Sequence, residues 1–183
     1  MLRSSMPAAR KALMETISHV LVGFAVLLKG VDKAEHFSRH PLTVVCLFAA
    51  GSFIVLGALF HRRFARKVPN FTALFHVAEG VSLILVGFVL LEKSARMPYF
   101  MFFIGACYLG IGAFEFFTSA EAKQRLRPVL MAVLSAAFLA AAALAFVLNS
   151  LGSRNTWVYI MSGLLVAMAV LILLVGRKGA GRR

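Results

Sequence analysis

An all-α, polytopic membrane fold of six transmembrane helices is what this sequence predicts, and three observations predict it. Hydrophobic residues make up 61% of the 183-residue chain, with a mean hydropathy of +0.87, whereas a soluble domain of this size carries far more surface charge. The apolar residues fall into six runs, approximately 12–31, 41–60, 71–91, 98–118, 128–149 and 156–175, each long enough to cross roughly 30 Å of hydrocarbon at about 1.5 Å per residue. Lysine and arginine gather in the short segments between the runs, unevenly on the two sides.

The first run follows Arg3, Arg10 and Lys11, the arrangement of a secretory leader. It ends in Leu28-Lys29-Gly30-Val31-Asp32 without a small-residue cleavage site, so it reads as a structural helix. The second and fourth runs open on Pro41 and Pro98, residues without the N–H that a first helical turn leaves unused. Asn149-Ser150-Leu151-Gly152-Ser153 supplies turn formers between the fifth and sixth runs. Residues 176–183 form a basic tail.

Counting basic residues by side orients the chain. Arg3, Arg10 and Lys11, then Arg62, Arg63, Arg66 and Lys67, then Lys123, Arg125 and Arg127, then Arg177, Lys178, Arg182 and Arg183 make fourteen on one side. Lys29, Lys33, Arg39, Lys93, Arg96 and Arg154 make six on the other. The positive-inside rule then places both termini in the cytoplasm of a bacterial inner membrane. The formal charge of +13 is accounted for by this topology and by contact with anionic lipid, and no nucleic acid partner is expected.

An internal similarity groups the runs. Glu15 to Gly30 and Glu79 to Ser94 share eight of sixteen residues at an offset of 64. Each copy is followed by a run rich in small residues, with Gly51 and Gly57 in the second and Gly105, Gly110 and Gly112 in the fourth. Small residues let membrane helices approach closely, so these five glycines are expected at packing contacts. The expected architecture is three tandem hairpins, approximately 12–60, 71–118 and 128–175, the third degenerate. Tandem hairpins of this length, glycines in the returning helix and L-V-G-F pieces resemble the short-repeat bacterial membrane proteins of the HdeD type, associated with acid resistance. That resemblance implies the hairpin fold and brings no catalytic motif.

Ionisable groups in hydrocarbon cost roughly 2.5–3.5 kcal/mol each unless paired or wet, which makes each a functional candidate. Glu15 and His19 lie one turn apart, His76 and Glu79 are spaced i, i+3, and His61 and Glu115 close the second and fourth runs. By topology all six gather at the cytoplasmic edge, where they can bind a proton or a cation. The plainer reading places Glu15 and Glu79 in first helical turns, favoured by the helix dipole and paired locally, Glu79 with His76. Haem ligation by His19 and His76 is disfavoured by register: relative to the duplicated glutamates the two differ by seven residues, or about 10 Å along a helix.

The outer connection between the first two runs carries Asp32, His36 and His40. If the first helix continues through it, they fall at i, i+4 and i+8, and their donor types suit Zn²⁺ or Cu²⁺. The plainer reading is a solvated helical extension held by i, i+4 pairs. Cys46 and Cys107 sit inside apolar runs, as small buried hydrophobes. No nucleophile–base arrangement, phosphate loop or strong metal motif is present, so neither an enzyme nor a required cofactor is expected. Three function classes follow. One is a non-enzymatic interaction or accessory subunit, with lipid, other membrane subunits or itself as partner; the second is a small transporter or channel with a Glu/His proton or cation site; the third is a metal- or haem/pigment-binding membrane protein.

Overall fold

A computed structural model of the chain describes residues 8–35, 37–91, 97–152 and 154–176. The described residues form six α-helices and one short 3-10 turn, and no strand. The helices are α1 (Ala8–Ala34), α2 (Pro41–Ala65), α3 (Phe71–Leu90), α4 (Met97–Phe117), α5 (Ala120–Leu151) and α6 (Thr156–Gly176), with the 3-10 turn at Phe37–Arg39. All six helices are long and apolar enough to cross a membrane, which makes this a multi-pass membrane protein. Their outward faces agree with that. On α3, Leu74, Val81, Leu85 and Phe88 are exposed, a surface that aggregates in water and that hydrocarbon solvates.

The chain divides into two compact units, one of Met1–Ser18 with Ser119–Arg183 and one of His19–Thr118. In the first unit α5 begins at Ala120, eight residues before the apolar run at 128. Ser119 explains the early start, because its hydroxyl accepts from the Ala122 N–H at 3.4 Å and Glu121 stands in the first turn, where the helix dipole favours a carboxylate. Pro128 therefore lies inside the helix. At 32 residues α5 is about 48 Å long, more than the hydrocarbon requires, so its basic first turns extend beyond the spanning stretch.

Helices α5 and α6 are joined by side chains as well as by packing. The Ser135 hydroxyl donates to the Ala169 carbonyl at 2.7 Å, beside the buried Phe138, Ala142, Leu165 and Met168. The buried Asn149 side chain spans the connection, donating to the Asn155 carbonyl and accepting from the Asn155 N–H, both at 2.9 Å. Asn155 in turn accepts the Trp157 N–H at 2.9 Å and so starts α6. On α1, Glu15 meets Arg127 of α5 at 3.2 Å.

In the second unit two helix pairs are built on glycine crossings. A Cβ added at Gly23 of α1 comes 3.0 Å from the Gly51 carbonyl of α2, and one at Gly51 comes 2.9 Å from the Gly23 carbonyl. The same reciprocal contact holds α3 to α4, with Gly80 2.8 Å from the Gly105 carbonyl and Gly105 2.9 Å from the Gly80 carbonyl. Such backbone approach is open only to residues without a side chain. Gly112 repeats it against the Ala73 carbonyl at 3.0 Å. Gly57 faces the Phe75 ring of α3, whereas Gly110 meets nothing within 4 Å. The helical period gives the reason: seven residues from Gly105 return Gly112 almost to the same face, and five turn Gly110 to the outside.

Candidate functional site: a buried Glu/His cluster

Helices α1, α3 and α4 bring together two imidazoles and two carboxylates. His19 of α1 lies with its Nδ1 2.7 Å from Oε2 of Glu79 on α3. His76, one turn before Glu79 on α3, has its Nδ1 2.9 Å from Oε2 of Glu115 on α4. With the carboxylates ionised, each Nδ1–H donates to its partner, which fixes the orientation of both rings. The two ring centroids stand 5.2 Å apart. Tyr108 of α4 packs against both, 5.2 Å from His19 and 5.9 Å from His76. The cluster is therefore one continuous array, Glu79–His19–His76–Glu115, closed on one side by a tyrosine ring.

Burial grades the array. The Glu79 side chain is fully buried, His19 and His76 are 11% exposed, and Glu115 is 27% exposed. Only Oε2 of Glu79 has a partner; its Oε1 is buried without one among the described residues. A lone carboxylate oxygen held out of water costs more than almost any other unsatisfied group. Glu79 is thus the place where this unit stores unfavourable energy.

The local pairing of Glu79 with His76 expected from the sequence gives way to a cross-helix pair with His19. The depth argument that separated the two histidines is corrected too. It assumed that α1 and α3 stand in the register of their sequence similarity, which aligns Glu15 with Glu79. Instead His19 reaches Glu79, so α1 is displaced by four residues, about 6 Å. The displacement cuts the depth difference between His19 and His76 from seven residues to three, about 4.5 Å along the axis, and their rings meet.

His61 of α2 packs on Phe71 and Phe75 of α3, at 5.5 and 5.8 Å, and Phe75 meets the His19 ring edge-on at 5.4 Å. His61 therefore joins the array through Phe75, by aromatic contact. Glu15 belongs to the other unit, with Arg127. Asp32 and His40 do not lie on one continuous helix. Helix α1 stops at Ala34, and His40 is the residue before α2, with φ −141° and ψ 51° and its N–H bonded to the Phe37 carbonyl at 3.1 Å. Pro41 dictates this, because the residue before a proline is driven out of the α-helical region. His36 lies outside the described residues, and Asp32 accepts from Lys29 at 2.5 Å. Among the described residues no three His, Cys, Asp or Glu side chains are grouped to hold a metal ion.

Sequence reasoning missed Tyr108 as a member of the array and, outside the array, the burial of Lys29. Tyr108 sits in an apolar run, where an aromatic ring reads as lipid contact; its hydroxyl in mid-span was the available signal. Lys29 counted only as an outer flanking charge, yet it is 4% exposed. The i, i+3 spacing to Asp32 could have shown that it is paired rather than solvated.

Fold and site together define a multi-pass membrane protein with a buried, charge-paired cluster inside one of its two units. The chain matches no known family model, no curated protein and no solved structure. The resemblance to HdeD-type proteins accordingly lends the cluster no role.

Proposed function

We propose that the protein is a small proton-transporting protein of a bacterial inner membrane, in which the array Glu115–His76–His19–Glu79 takes up protons from the cytoplasmic side. In this reading the six helices stand as three tandem hairpins with both termini in the cytoplasm. The observation that carries the proposal is the Glu79 carboxylate: wholly buried, bound to His19 through one oxygen and unpartnered at the other.

The charge balance gives the chemical reason. Two ionised carboxylates beside two neutral imidazoles put a double negative charge into hydrocarbon, and one proton on each imidazole removes it. The cluster therefore binds protons as a coupled set rather than as independent groups. Imidazole is suited to pass them on, since it accepts at one nitrogen and releases at the other. The gradient of exposure, from Glu115 at the edge to Glu79 within, gives the relay a direction. Nothing on the described residues favours the interaction-subunit expectation over this one.

Liposome flux tests the proposal. Wild-type protein is expected to dissipate an imposed pH gradient faster than protein-free vesicles. Glu79→Gln, which keeps shape and removes the acid–base function, is expected to fall to the protein-free rate. Glu15→Gln should retain the wild-type rate, because that carboxylate is paired in the other unit. Equal flux in wild type and Glu79→Gln, or none in wild type, removes the proposal.

A further inference from the structure

Resting on that reading, we infer that the Glu79–His19 pair is the switch of a mechanical joint: binding of a proton at Glu79 lets the helix pair α1–α2 move against the pair α3–α4. Each pair is held together by close backbone contact. Within α1–α2 the contact is backbone on backbone at Gly23 and Gly51, and within α3–α4 it is backbone on backbone at Gly80 and Gly105. At each crossing the backbones leave no room even for a Cβ, and in this proposal each pair moves as a body.

Between the pairs the contacts are of another kind. Phe75 of α3 lies in the notch at Gly57 of α2 and touches Phe53 at 6.1 Å and His61 at 5.8 Å. Rings over a glycine notch give area without a fixed direction and repack at modest cost. Among the described residues, a directional bond across this interface runs from His19 to Glu79 at 2.7 Å. Glu79 precedes Gly80, the α3 residue of the α3–α4 crossing. Interfaces of this build shift between discrete arrangements rather than deform smoothly.

The sign follows from charge. An ionised Glu79 accepts the His19 Nδ1–H in a charge-assisted bond strengthened by the low-dielectric interior, and the joint is clamped. A proton on Glu79 removes the charge that strengthens the bond, and the clamp opens. The other titratable groups facing the pair are His61 of α2 across Phe75, His76 of α3, and Tyr108 and Glu115 of α4. Of these, His76 and Glu115 already satisfy each other.

Spin-label distances test the joint. On a Cys46→Ser, Cys107→Ser background, Leu42→Cys on α2 and Tyr99→Cys on α4 put labels at exposed positions, one on each pair and both at the end remote from the pivot. In lipid nanodiscs the wild-type distance is expected to change by about 2–5 Å between alkaline and acid buffer, the range of helix shifts in such switches. Glu79→Gln should stay at the acid distance in both. If Glu79→Gln does not fold, His19→Gln replaces it: it keeps a donor towards Oε2, carries no charge, and should likewise lose the pH response. A distance that is the same in both buffers, or that still shifts in the variant, overturns the joint. Flux carried by Glu79 with an invariant distance defeats this inference alone. Flux indifferent to Glu79→Gln defeats the transport reading on which it rests.

Discussion

His19→Ala is expected to destabilise the unit His19–Thr118 by about 3–5 kcal/mol, the cost of breaking a buried ion pair by removing one partner. The loss is larger than the truncated ring accounts for, because Glu79, fully buried and already missing a partner at Oε1, then has none at either oxygen. The companion change separates the two contributions. In His19→Ala/Glu79→Leu the stranded charge is gone, and most of the lost stability should return, since apolar replacements of buried ion pairs are often neutral or better. Denaturant unfolding in detergent of the wild type, both single variants and the double variant gives the coupling energy. A coupling near zero shows that the 2.7 Å contact contributes nothing to stability, and the switch loses its basis.

Gly80→Ala is expected to be the most damaging of the small substitutions on α3 and α4. The added Cβ comes 2.8 Å from the Gly105 carbonyl and 2.9 Å from the Leu109 N. Both are backbone atoms of α4, so no side chain can swing aside and the helices must separate. Overpacking of this kind costs about 1–3 kcal/mol, and more where the backbone itself must move. Gly110→Ala on α4 is the control. Nothing lies within 4 Å of its new methyl group, and alanine gains up to about 1 kcal/mol of helix propensity over glycine, so that variant should melt at or above the wild-type temperature. If the two variants have the same thermal stability in detergent, the crossing at Gly80 is not a close contact.

The sequence shows the six helices because hydropathy is a local property, readable from each run without its neighbours. It shows the polar candidates for the same reason, since Glu79 or His19 in an apolar run is conspicuous anywhere. Pairing between helices is not local. His19 meets Glu79 only because α1 stands four residues out of the register that the similarity of Glu15–Gly30 to Glu79–Ser94 implies, and no residue in either segment signals that displacement. The start of α5 was hidden differently. Ser119 and Glu121 form a legible helix start, but the charged stretch after them has low hydropathy, and a hydropathy reading places the boundary at Pro128. The outer stripe of Asp32, His36 and His40 required a helix running through His40, which the following proline forbids. Glycine spacing alone grouped Gly110 with Gly105 and Gly112; the helical period, applied to the same positions, separates them.

Proton transport through the array requires that Glu79 gain and lose a proton inside the protein. Infrared difference spectroscopy between acid and alkaline states of the lipid-reconstituted protein observes that event directly. A buried carboxyl group that takes up a proton shows a protonated C=O stretch that is absent from the carboxylate form, and the account predicts this band in the wild type, its loss in Glu79→Gln and its persistence in Glu15→Gln. A wild-type difference spectrum without a protonated carboxyl band, or a band unchanged by Glu79→Gln, would contradict it.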